Sequence, residues 1–317
     1  NPLLEVADLA GLSKIAKKES CDILFVPGGT FLGNFPNMVS MSQNMLPFER
    51  EESARFKNVK TKLRFKLLYL TQKATFKKST GIIFLTNYAK NYISKAIVLN
   101  SKSIIIPHGI NLSFLNEPKD QKSIKEYSIQ NPYKLLYVSI VTVYKHQCNV
   151  AEAVLKLRKE GYPITLDLVG GNTQESLEKL QEILINNIDN CIEYKGEIPY
   201  ENLAKIYKNA DGFVFASSCE NMPIILIEAM TSGLPIASSN MGPMPEVLGE
   251  AGFYFNPLDS QDIYQAIKQM IDSAELRKQK SQKSFHQSVN YTWKDCSEKT
   301  FEYLSEIAKN YNYENKR

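Results

Sequence analysis

The stretch GFVFASSCENMPIILIEAMTSGLPIASS (Gly212–Ser239) combines a strand, a loop, a helix and a second strand. The apolar run GFVFA forms the first strand. Pro223 suits the first helical turn because its missing N–H would have no partner there. Gly233 is a natural end for the helix, and LPIAS begins the next strand. Strands that are apolar nearly throughout are buried on both faces by helices. The stretch therefore predicts one unit of a doubly wound parallel sheet.

The same alternation continues on both sides of this unit, because short β-branched or aromatic runs alternate with amphipathic helical runs. From Pro132 onward, the predicted strands are Lys134–Ile140, Ile164–Val169, Cys191–Lys195, Gly212–Ala216, Leu234–Ser238 and Gly252–Phe255. The predicted helices there are 149–160, 173–186, 200–209, 223–232 and 243–248. Ligands of such sheets bind at the carboxyl ends of the strands, so we expect the site in the loops that follow them.

The first part of the chain shows a shorter version of this pattern and predicts a second α/β domain. Its predicted strands are Asp22–Pro27, Met38–Ser42, Gly81–Thr86 and Ser103–Pro107, with helices to about Ser20, within 51–78 and over 87–98. It opens with a helix where such domains open with a strand and a glycine-rich turn, so we expect a first strand-turn-helix to be missing. The polar, proline-bounded segment Pro107–Pro132 is predicted to be a linker.

Composition excludes several classes of protein. With 317 residues, 43% hydrophobic and 23% charged, the chain suits about two globular domains and neither a disordered nor a fibrous protein. No apolar run approaches the ~18 residues of a membrane-spanning helix. The five cysteines form no CxxC pair and the three histidines lie far apart in sequence, so neither a disulfide framework nor a zinc site is indicated. We expect free thiols in a reducing cytoplasm.

Two glutamates flank the start of the helix in the opening stretch. Glu220 precedes the helix and Glu228 lies inside it. The free N–H groups of the first turn, from Met222, Ile224 and Ile225, would form a site for phosphate oxygens. Carboxylates accept hydrogen bonds from hydroxyls, so the arrangement suits a sugar or ribose diphosphate.

The alternative for these glutamates is a loop carboxylate and a helix-surface charge, each of which stabilises only slightly. Against it, the neighbours of Glu228 in PIILIEAM are almost all apolar. A lone acid in a buried helix costs several kcal/mol unless it is hydrogen-bonded, which predicts a polar partner.

This stretch resembles the signature of retaining glycosyltransferases of family 4, whose Glu, seven residues, Glu pattern is matched by Glu220 and Glu228. The continuation LPIASSNMGPMPEVLGEAGFYFNPLD (Leu234–Asp259) and the segments VPGGT and SQNMLPFE in the first domain are similar to the same family. The resemblance implies the GT-B fold, in which two Rossmann-like doubly wound domains face each other across a cleft. It also implies that Glu220 contacts hydroxyls of the transferred sugar and that Glu228 binds the ribose of the nucleotide.

The GT-B resemblance implies three segments. These are an acceptor-side domain (1–107, apparently truncated), a nucleotide-sugar-binding domain (108–290) and a final helix (291–317) that crosses back to the first domain.

The family also has a basic pair after the first strand of the second domain, which holds the pyrophosphate of the donor. Lys145 matches the lysine of that pair, whereas the expected arginine falls on Ser139. Neutralisation of the phosphates would then depend on the helix N-terminus, a hydroxyl or a cation from the missing segment. A plain solvated lysine is the alternative for Lys145. The resemblance thus implies Glu220 and Lys145 as catalytic residues and Ser139, Asn221, Met222, Pro223, Ile224, Ile225 and Glu228 as donor-binding residues.

Five residues are predicted on the acceptor side. Gly28 and Gly29 close a strand, where the backbone either approaches a ligand closely or simply turns. Where relatives often have a histidine, this sequence has Gln43 and Asn44, and neutral amides orient a sugar hydroxyl without serving as a general base. His108 opens the interdomain segment and is either an acceptor-side residue or a structural histidine.

The sequence therefore predicts a cytoplasmic, retaining hexosyltransferase of cell-surface polysaccharide or lipopolysaccharide synthesis, with a UDP- or GDP-linked donor, a hydroxyl acceptor and no cofactor. Metal-dependent glycosyltransferases of the other common glycosyltransferase fold hold a divalent ion with an Asp-x-Asp motif. This motif is absent from the sequence, so we expect no metal. Two alternatives remain open. One is a nucleotide-sugar-binding protein without catalysis, and the other is an epimerase or phosphorylase of the same fold.

Positive charge is concentrated in the first part of the chain. Residues 1–120 hold 17 Lys/Arg and 9 Asp/Glu (+8), which leaves 38 − 17 = 21 against 34 − 9 = 25 (−4) for the remainder. Between Ser53 and Thr80 there are nine Lys/Arg and no acid. In a continuous helix over 55–77, a basic stripe would lie beside an apolar strip. The stripe consists of Arg55, Lys62, Lys66, Lys73 and Lys77, and the strip of Leu63, Leu67, Leu70 and Ala74.

A solvated helix face packed on its own domain usually mixes charges of both signs, so the lack of acids favours another interpretation of the stripe. We expect contact with anionic lipid of the inner leaflet, with the protein peripheral on the cell membrane. Nucleic acid is not expected as a partner, because interleaved aromatic residues and glycines are missing.

Overall fold

The computed structural model describes residues 11–99 and 101–314. They form two compact units. The first contains the described residues up to Gly109 together with the helix that begins at Trp293, and the second is Ile110–Thr292. Each unit is built on one parallel β-sheet with helices between the strands, which confirms the predicted α/β class.

The sheet of the first unit has four described strands, which lie side by side in chain order and pair in parallel. The strands are β1 (Leu24–Val26), β2 (Met38–Met41), β3 (Gly81–Phe84) and β4 (Lys102–Ile105). The helices are α1 (11–18), α2 (Arg50–Ala54), α3 (Val59–Lys78) and α4 (Asn87–Ala96).

The helix expected to run continuously over 55–77 in fact begins only at Val59. α2 ends at Ala54, and α3 begins at Val59 after an N-cap in which the Asn58 side chain accepts from two backbone N–H groups. Asparagine is among the most favourable N-cap residues, which explains why a new helix starts there. Arg55 lies outside α3 and pairs with Glu52 at 2.8 Å. The prediction that placed Arg55 in the basic stripe is therefore wrong.

The sheet of the second unit has six strands in the order β10-β9-β8-β5-β6-β7, so the direction of winding reverses between β5 and β8. The strands are β5 (Tyr133–Val138), β6 (Ile164–Val169), β7 (Ile192–Gly196), β8 (Gly212–Phe215), β9 (Ile236–Ser239) and β10 (Gly252–Phe255). The helices are α5 (Gln147–Lys159), α6 (Gln174–Leu184), α7 (Tyr200–Asn209), α8 (Ile224–Thr231), α9 (Met244–Leu248), α10 (Ser260–Asp272) and α11 (Ala274–Ser288).

The last helix, α12 (Trp293–Glu314), belongs to the first unit. The Tyr303 hydroxyl donates to the Lys102 carbonyl of β4 at 2.8 Å. A Cβ added at Gly81 would lie 2.8 Å from that hydroxyl oxygen, so α12 packs closely against the sheet. No described helix is long and apolar enough to span a membrane.

Burial of the second sheet differs between its centre and one edge. β8 and β9 are buried along their whole length. On β6 and β7, by contrast, alternate residues reach solvent, and Lys195 bridges Asp167 at 2.9 Å and Glu193 at 3.6 Å. The expectation that the strands are covered on both faces therefore holds at the centre of the sheet and fails at the β7 edge.

A glycine fixes the start of the loop after β5. Gly170, at the end of β6, has φ +139°, and a Cβ there would lie 2.2 Å from the Ser139 carbonyl oxygen. The Ser139 N–H donates to the Val169 carbonyl at 2.8 Å. No other residue permits this approach of two backbones, so the ends of β5 and β6 are held against each other.

The predicted linker packs on the second unit and supports α8. Phe114 is fully buried, and its carbonyl accepts from the Ser232 hydroxyl at 3.1 Å. The Asn116 N–H donates to the Thr231 carbonyl at 3.1 Å. The C-terminal end of α8 is thus fixed by the segment that precedes the sheet.

Candidate functional site

The candidate site lies where the winding of the second sheet reverses. β5 and β8 are neighbours, with Leu135 opposite Gly212 and Leu136 opposite Phe213. The loop after β5 carries Lys145, and the loop after β8 carries Glu220. Because parallel strands end at the same edge of a sheet, both loops leave the sheet side by side. The structure thus brings together the two residues predicted to be catalytic.

Lys145 and Glu220 form a buried ion pair. The Lys145 Nζ donates to Glu220 Oε1, and the exposed fractions of the two side chains are 6% and 16%. The Nζ also lies 5.1 Å from the centre of the Phe215 ring and 5.2 Å from that of Tyr144. Lys145 is therefore not a solvated lysine, and the ammonium is held by a carboxylate and two aromatic faces.

Hydrogen bonds connect the two loops around this pair. The Tyr137 hydroxyl donates to the Lys145 carbonyl and accepts from the Ala216 N–H at 3.2 Å. The Ser218 N–H donates to the Tyr144 carbonyl at 2.9 Å. Burial raises the pKa of Tyr137 well above its ordinary value, so the phenol stays neutral and keeps its proton for donation. Sequence analysis missed Tyr137, although a tyrosine in a buried strand signals a polar partner for its hydroxyl.

His146 is a second residue that sequence analysis missed. Its backbone is left-handed (φ 49°, ψ 33°), which is unfavourable for a residue with a Cβ. Its Nε2 lies 2.9 Å from the Ser218 Oγ. The Ser218 hydroxyl also donates to the Tyr144 carbonyl, at 3.2 Å. The strained turn next to Lys145 is thereby tied to the loop that carries Glu220.

Glu228 has the polar partner that its apolar surroundings predicted. It is buried on α8, and its Oε2 accepts from the Tyr207 hydroxyl of α7 at 2.9 Å. Burial raises the pKa of the Glu228 carboxyl to about 7, and the hydrogen bond from Tyr207 opposes part of this rise. The charge of Glu228 in turn helps, after burial, to raise the pKa of Tyr200. Glu228 is thus a carboxyl whose proton is lost near neutral pH.

The start of α8 differs in one respect from the expected phosphate site. Pro223 has φ −81° and ψ 82°, close to an inverse γ-turn, and the Ile224 N–H donates to the Met222 carbonyl at 3.0 Å. This N–H is therefore not free for a phosphate, and that part of the prediction is wrong. Asn221, Met222 and Pro223 are buried, whereas Ile224 and Ile225 are half-buried.

Ser139, which stands where an arginine was expected, lies at the same edge of the sheet. Its side chain is buried, and within residues 11–99 and 101–314 its Oγ has no hydrogen-bond partner. A buried hydroxyl is normally satisfied, so Ser139 lacks a partner that such groups usually have.

Two of the predicted acceptor-side residues form a turn. Gly29 has φ +69°, and a Cβ there would lie 3.0 Å from the Met41 carbonyl oxygen of β2. Gly28 is exposed, with open space around the position of its Cβ. The geometry favours the strand-exit turn over close approach to a ligand for Gly29.

The remaining acceptor-side residues have local partners. Gln43 Nε2 donates to the Met41 sulfur at 3.2 Å, and Asn44 Oδ1 accepts from the Leu46 N–H at 3.1 Å. The His108 ring packs on Trp293, with 5.4 Å between ring centres, and burial lowers its pKa, which favours the neutral imidazole. These contacts favour the structural alternative for His108.

Comparison with known proteins identifies relatives of the chain. The family model described as "Glycosyl transferases group 1" matches residues 118–287. The O-antigen chain mannosyltransferase B of Escherichia coli is 27% identical over 180 residues, which cover 56% of this chain and 47% of that protein. The chain thus spans about half the length of this curated relative.

Solved structures share the fold. Sucrose-phosphate synthase from Thermosynechococcus elongatus superposes with a TM-score of 0.75 at 17% identity, over 94% of this chain and 77% of that chain. Anabaena HepE in complex with UDP and glucose superposes with a TM-score of 0.71 at 15% identity, over 94% of this chain and 81% of that chain. These likenesses confirm the predicted GT-B class of fold.

Glu228 predicts a specific dependence of stability on pH. The folded state binds the Glu228 proton more tightly than the unfolded state does. The resulting contribution to the free energy of unfolding is complete below about pH 4.5 and is lost as the pH rises through about 7. Between pH 5 and pH 8, the free energy of unfolding should fall by about 2–3 kcal/mol more in the parent than in Glu228→Gln. Urea unfolding of both proteins at the two pH values measures this difference. Parallel pH profiles would show that Glu228 ionises as in the unfolded chain.

Proposed function

Since the chain belongs to the glycosyl transferases group 1 family, we propose that it transfers a hexose from a nucleotide diphosphate sugar to a hydroxyl acceptor, with retention of configuration. The observation that carries this proposal is the buried Lys145–Glu220 pair at the point where the sheet reverses its winding. Such a point is where nucleotide ligands bind in open α/β sheets. A buried cation beside a carboxylate offers one group for phosphate and one for hydroxyls.

In the proposed reaction, the bond between the anomeric carbon and the diphosphate oxygen breaks first. The Lys145 ammonium stabilises the charge that develops on the leaving diphosphate. Glu220, which shares that ammonium in this structure, accepts hydrogen bonds from the sugar hydroxyls. The acceptor oxygen then bonds to the anomeric carbon on the same face, and its proton passes to the leaving phosphate. Retention follows from this same-face attack and is implied by the resemblance to family 4.

The loops around the pair supply rigidity for this chemistry. Tyr137 and the His146–Ser218 hydrogen bond fix the backbone on both sides of Lys145. Groups held before the ligand arrives need little reorganisation when charge develops, which is the main source of electrostatic catalysis. The unsatisfied Ser139 hydroxyl is a further donor for a diphosphate oxygen.

For the donor, we propose that Glu228 accepts hydrogen bonds from the ribose and that the base is uracil or guanine. UDP is the first to test, because HepE, which shares the fold, was solved with UDP and glucose. For the product, we propose a cell-surface polysaccharide or lipopolysaccharide made in the cytoplasm. The name of the Escherichia coli relative, an O-antigen chain mannosyltransferase, supports this class.

Substitution of the two glutamates separates catalysis from nucleotide binding. We expect Glu220→Ala to lower kcat by roughly 100-fold or more while changing nucleotide affinity by less than about threefold. Glu228→Gln should instead weaken binding of the nucleoside diphosphate by roughly 1–3 kcal/mol, because an amide accepts ribose hydroxyls less well than a carboxylate. Calorimetry and initial rates with UDP- and GDP-hexoses provide both measurements.

The control for this pair is Glu193→Gln, which changes an exposed glutamate on the β7 edge. It should behave as the parent does. Full activity of Glu220→Ala would defeat the catalytic role of Glu220. Nucleotide binding by the parent without turnover, with or without an acceptor, would favour a binding protein, and epimerised donor without an acceptor would favour an epimerase.

We also propose that the reaction needs no metal ion. The sequence contains no Asp-x-Asp, and within the described residues no group of three His, Cys, Asp or Glu side chains is placed to hold an ion. Activity should therefore stay within about twofold of its original value after EDTA treatment, because Lys145 and the α8 dipole act on the diphosphate. Complete loss that magnesium or manganese restores would show that an ion neutralises the diphosphate.

A last part of the proposal is contact with an anionic membrane surface. The leucines of the apolar strip are exposed on α3, with exposed fractions of 66% for Leu63, 60% for Leu67 and 53% for Leu70. Exposed leucines beside an acid-free run of lysines suit the boundary between headgroups and acyl chains. Such contact would bring a lipid-linked acceptor to the enzyme.

Binding to vesicles tests this contact. We expect salt-sensitive binding to vesicles that contain phosphatidylglycerol, and it should drop in the variant with Lys62, Lys66, Lys73 and Lys77 changed to Gln. Activity on a soluble acceptor should persist. The matched control changes four exposed lysines of the second unit, Lys159, Lys205, Lys208 and Lys278, to Gln. Equal binding of parent and α3 variant at low salt would refute the membrane contact.

A further inference from the structure

A cavity of about 430 Å³ opens between α2 and α3 in the first unit. Three cations line it, Arg50 from α2 and Lys62 and Lys66 from α3. Phe65, Tyr69 and Leu70 form part of its apolar wall. The cavity therefore combines positive charge with an aromatic and aliphatic surface.

The three cations are not engaged by acidic side chains. Among the described residues, neither Arg50, Lys62 nor Lys66 forms an ion pair, whereas nearby Arg55 is paired with Glu52 at 2.8 Å. No acidic residue lines this cavity. A neighbouring cavity of about 470 Å³, which shares Arg50 and Tyr69, contains Glu51 and so offers no purely positive lining. The charge of the first cavity is thus left for an anion from outside the chain.

The apolar wall continues out of the cavity along α3. Leu70 lines the cavity and is itself 53% exposed, and Leu67 and Leu63 follow on the same strip with 60% and 66% exposed. An inorganic anion has no apolar part that could be buried against these leucines. An anion that carries a hydrocarbon chain would place its charge among the cations and its chain along the leucines.

We propose that this cavity is a discrete site for the phosphate group of an anionic phospholipid, with the acyl chains along Leu70, Leu67 and Leu63. The inference rests on the membrane contact proposed above and makes it specific. If the attraction to the membrane were diffuse, every exposed lysine of α3 would contribute equally to vesicle binding. With a discrete site, most of the binding depends on Arg50, Lys62 and Lys66.

Two variants with the same change of charge separate these cases. One changes the cavity cations (Arg50→Gln, Lys62→Gln, Lys66→Gln), and the other changes three lysines of α3 that do not line the cavity (Lys73→Gln, Lys77→Gln, Lys78→Gln). On phosphatidylcholine vesicles with phosphatidylglycerol added, we expect the cavity variant to lose about tenfold or more in partitioning and the control variant about two- to threefold. Equal losses would overturn the discrete site and leave the diffuse contact. No binding by the parent would overturn both.

A second measurement identifies the ligand chemistry without vesicles. Calorimetry of the parent should detect short-chain phosphatidylglycerol below its micelle concentration and should detect glycerol 3-phosphate and inorganic phosphate at least about tenfold more weakly. Leu70→Ser should weaken the short-chain lipid and leave the acyl-free phosphates unchanged. Equal affinity of the parent for all three would make the cavity a simple phosphate site and refute the assignment to lipid.

Discussion

The parallel pairing of β5 with β8 is the constraint on which the candidate site depends. It joins strands that are separated in sequence by two other strands, and it sets the loops of Lys145 and Glu220 next to each other. Both side chains are buried beside aromatic rings, so loss of either charge would leave the other uncompensated at a cost of several kcal/mol. The ion pair is thus a consequence of strand order, and it ties the two loops together once they meet.

Several unfavourable local features are concentrated around this pair, and each is balanced by a specific contact. His146 adopts a left-handed backbone, and its ring is hydrogen-bonded to Ser218. Pro223 turns the chain tightly before α8, and the Ile224 N–H is used within that turn. Glu228 is buried with a raised pKa and accepts from Tyr207. Strain and buried polar groups persist only where the surrounding structure holds them, and such features are concentrated at functional sites.

The first unit is organised by a different balance. Its basic helix α3 keeps Leu63, Leu67 and Leu70 exposed beside its lysines, with no acid between Ser53 and Thr80 to neutralise the charge. The exposed leucines are not stabilised by burial, and the lysines are not neutralised by acidic residues of their own helix. The break at Asn58 sets α2 against α3 and forms the cavity that Arg50, Lys62 and Lys66 line. Chemistry in the second unit and attachment in the first would therefore be carried by separate parts of the chain.

The resemblance to family 4 supplied Lys145. The sequence by itself determined the class of fold, the position of every described strand of the second sheet to within about two residues, and the candidate glutamates. It could do so because hydrophobic periodicity, proline and glycine act locally, and because Glu228 stood out among apolar neighbours. Only the tertiary structure decided that Lys145 and Glu220 pair and that Tyr207 holds Glu228. The same is true of the support that His146 and Tyr137 give to the loops, and of the exposure of Leu63, Leu67 and Leu70 on α3. These depend on which strands become neighbours and which helix faces find a partner, and such long-range contacts leave no local pattern in the chain.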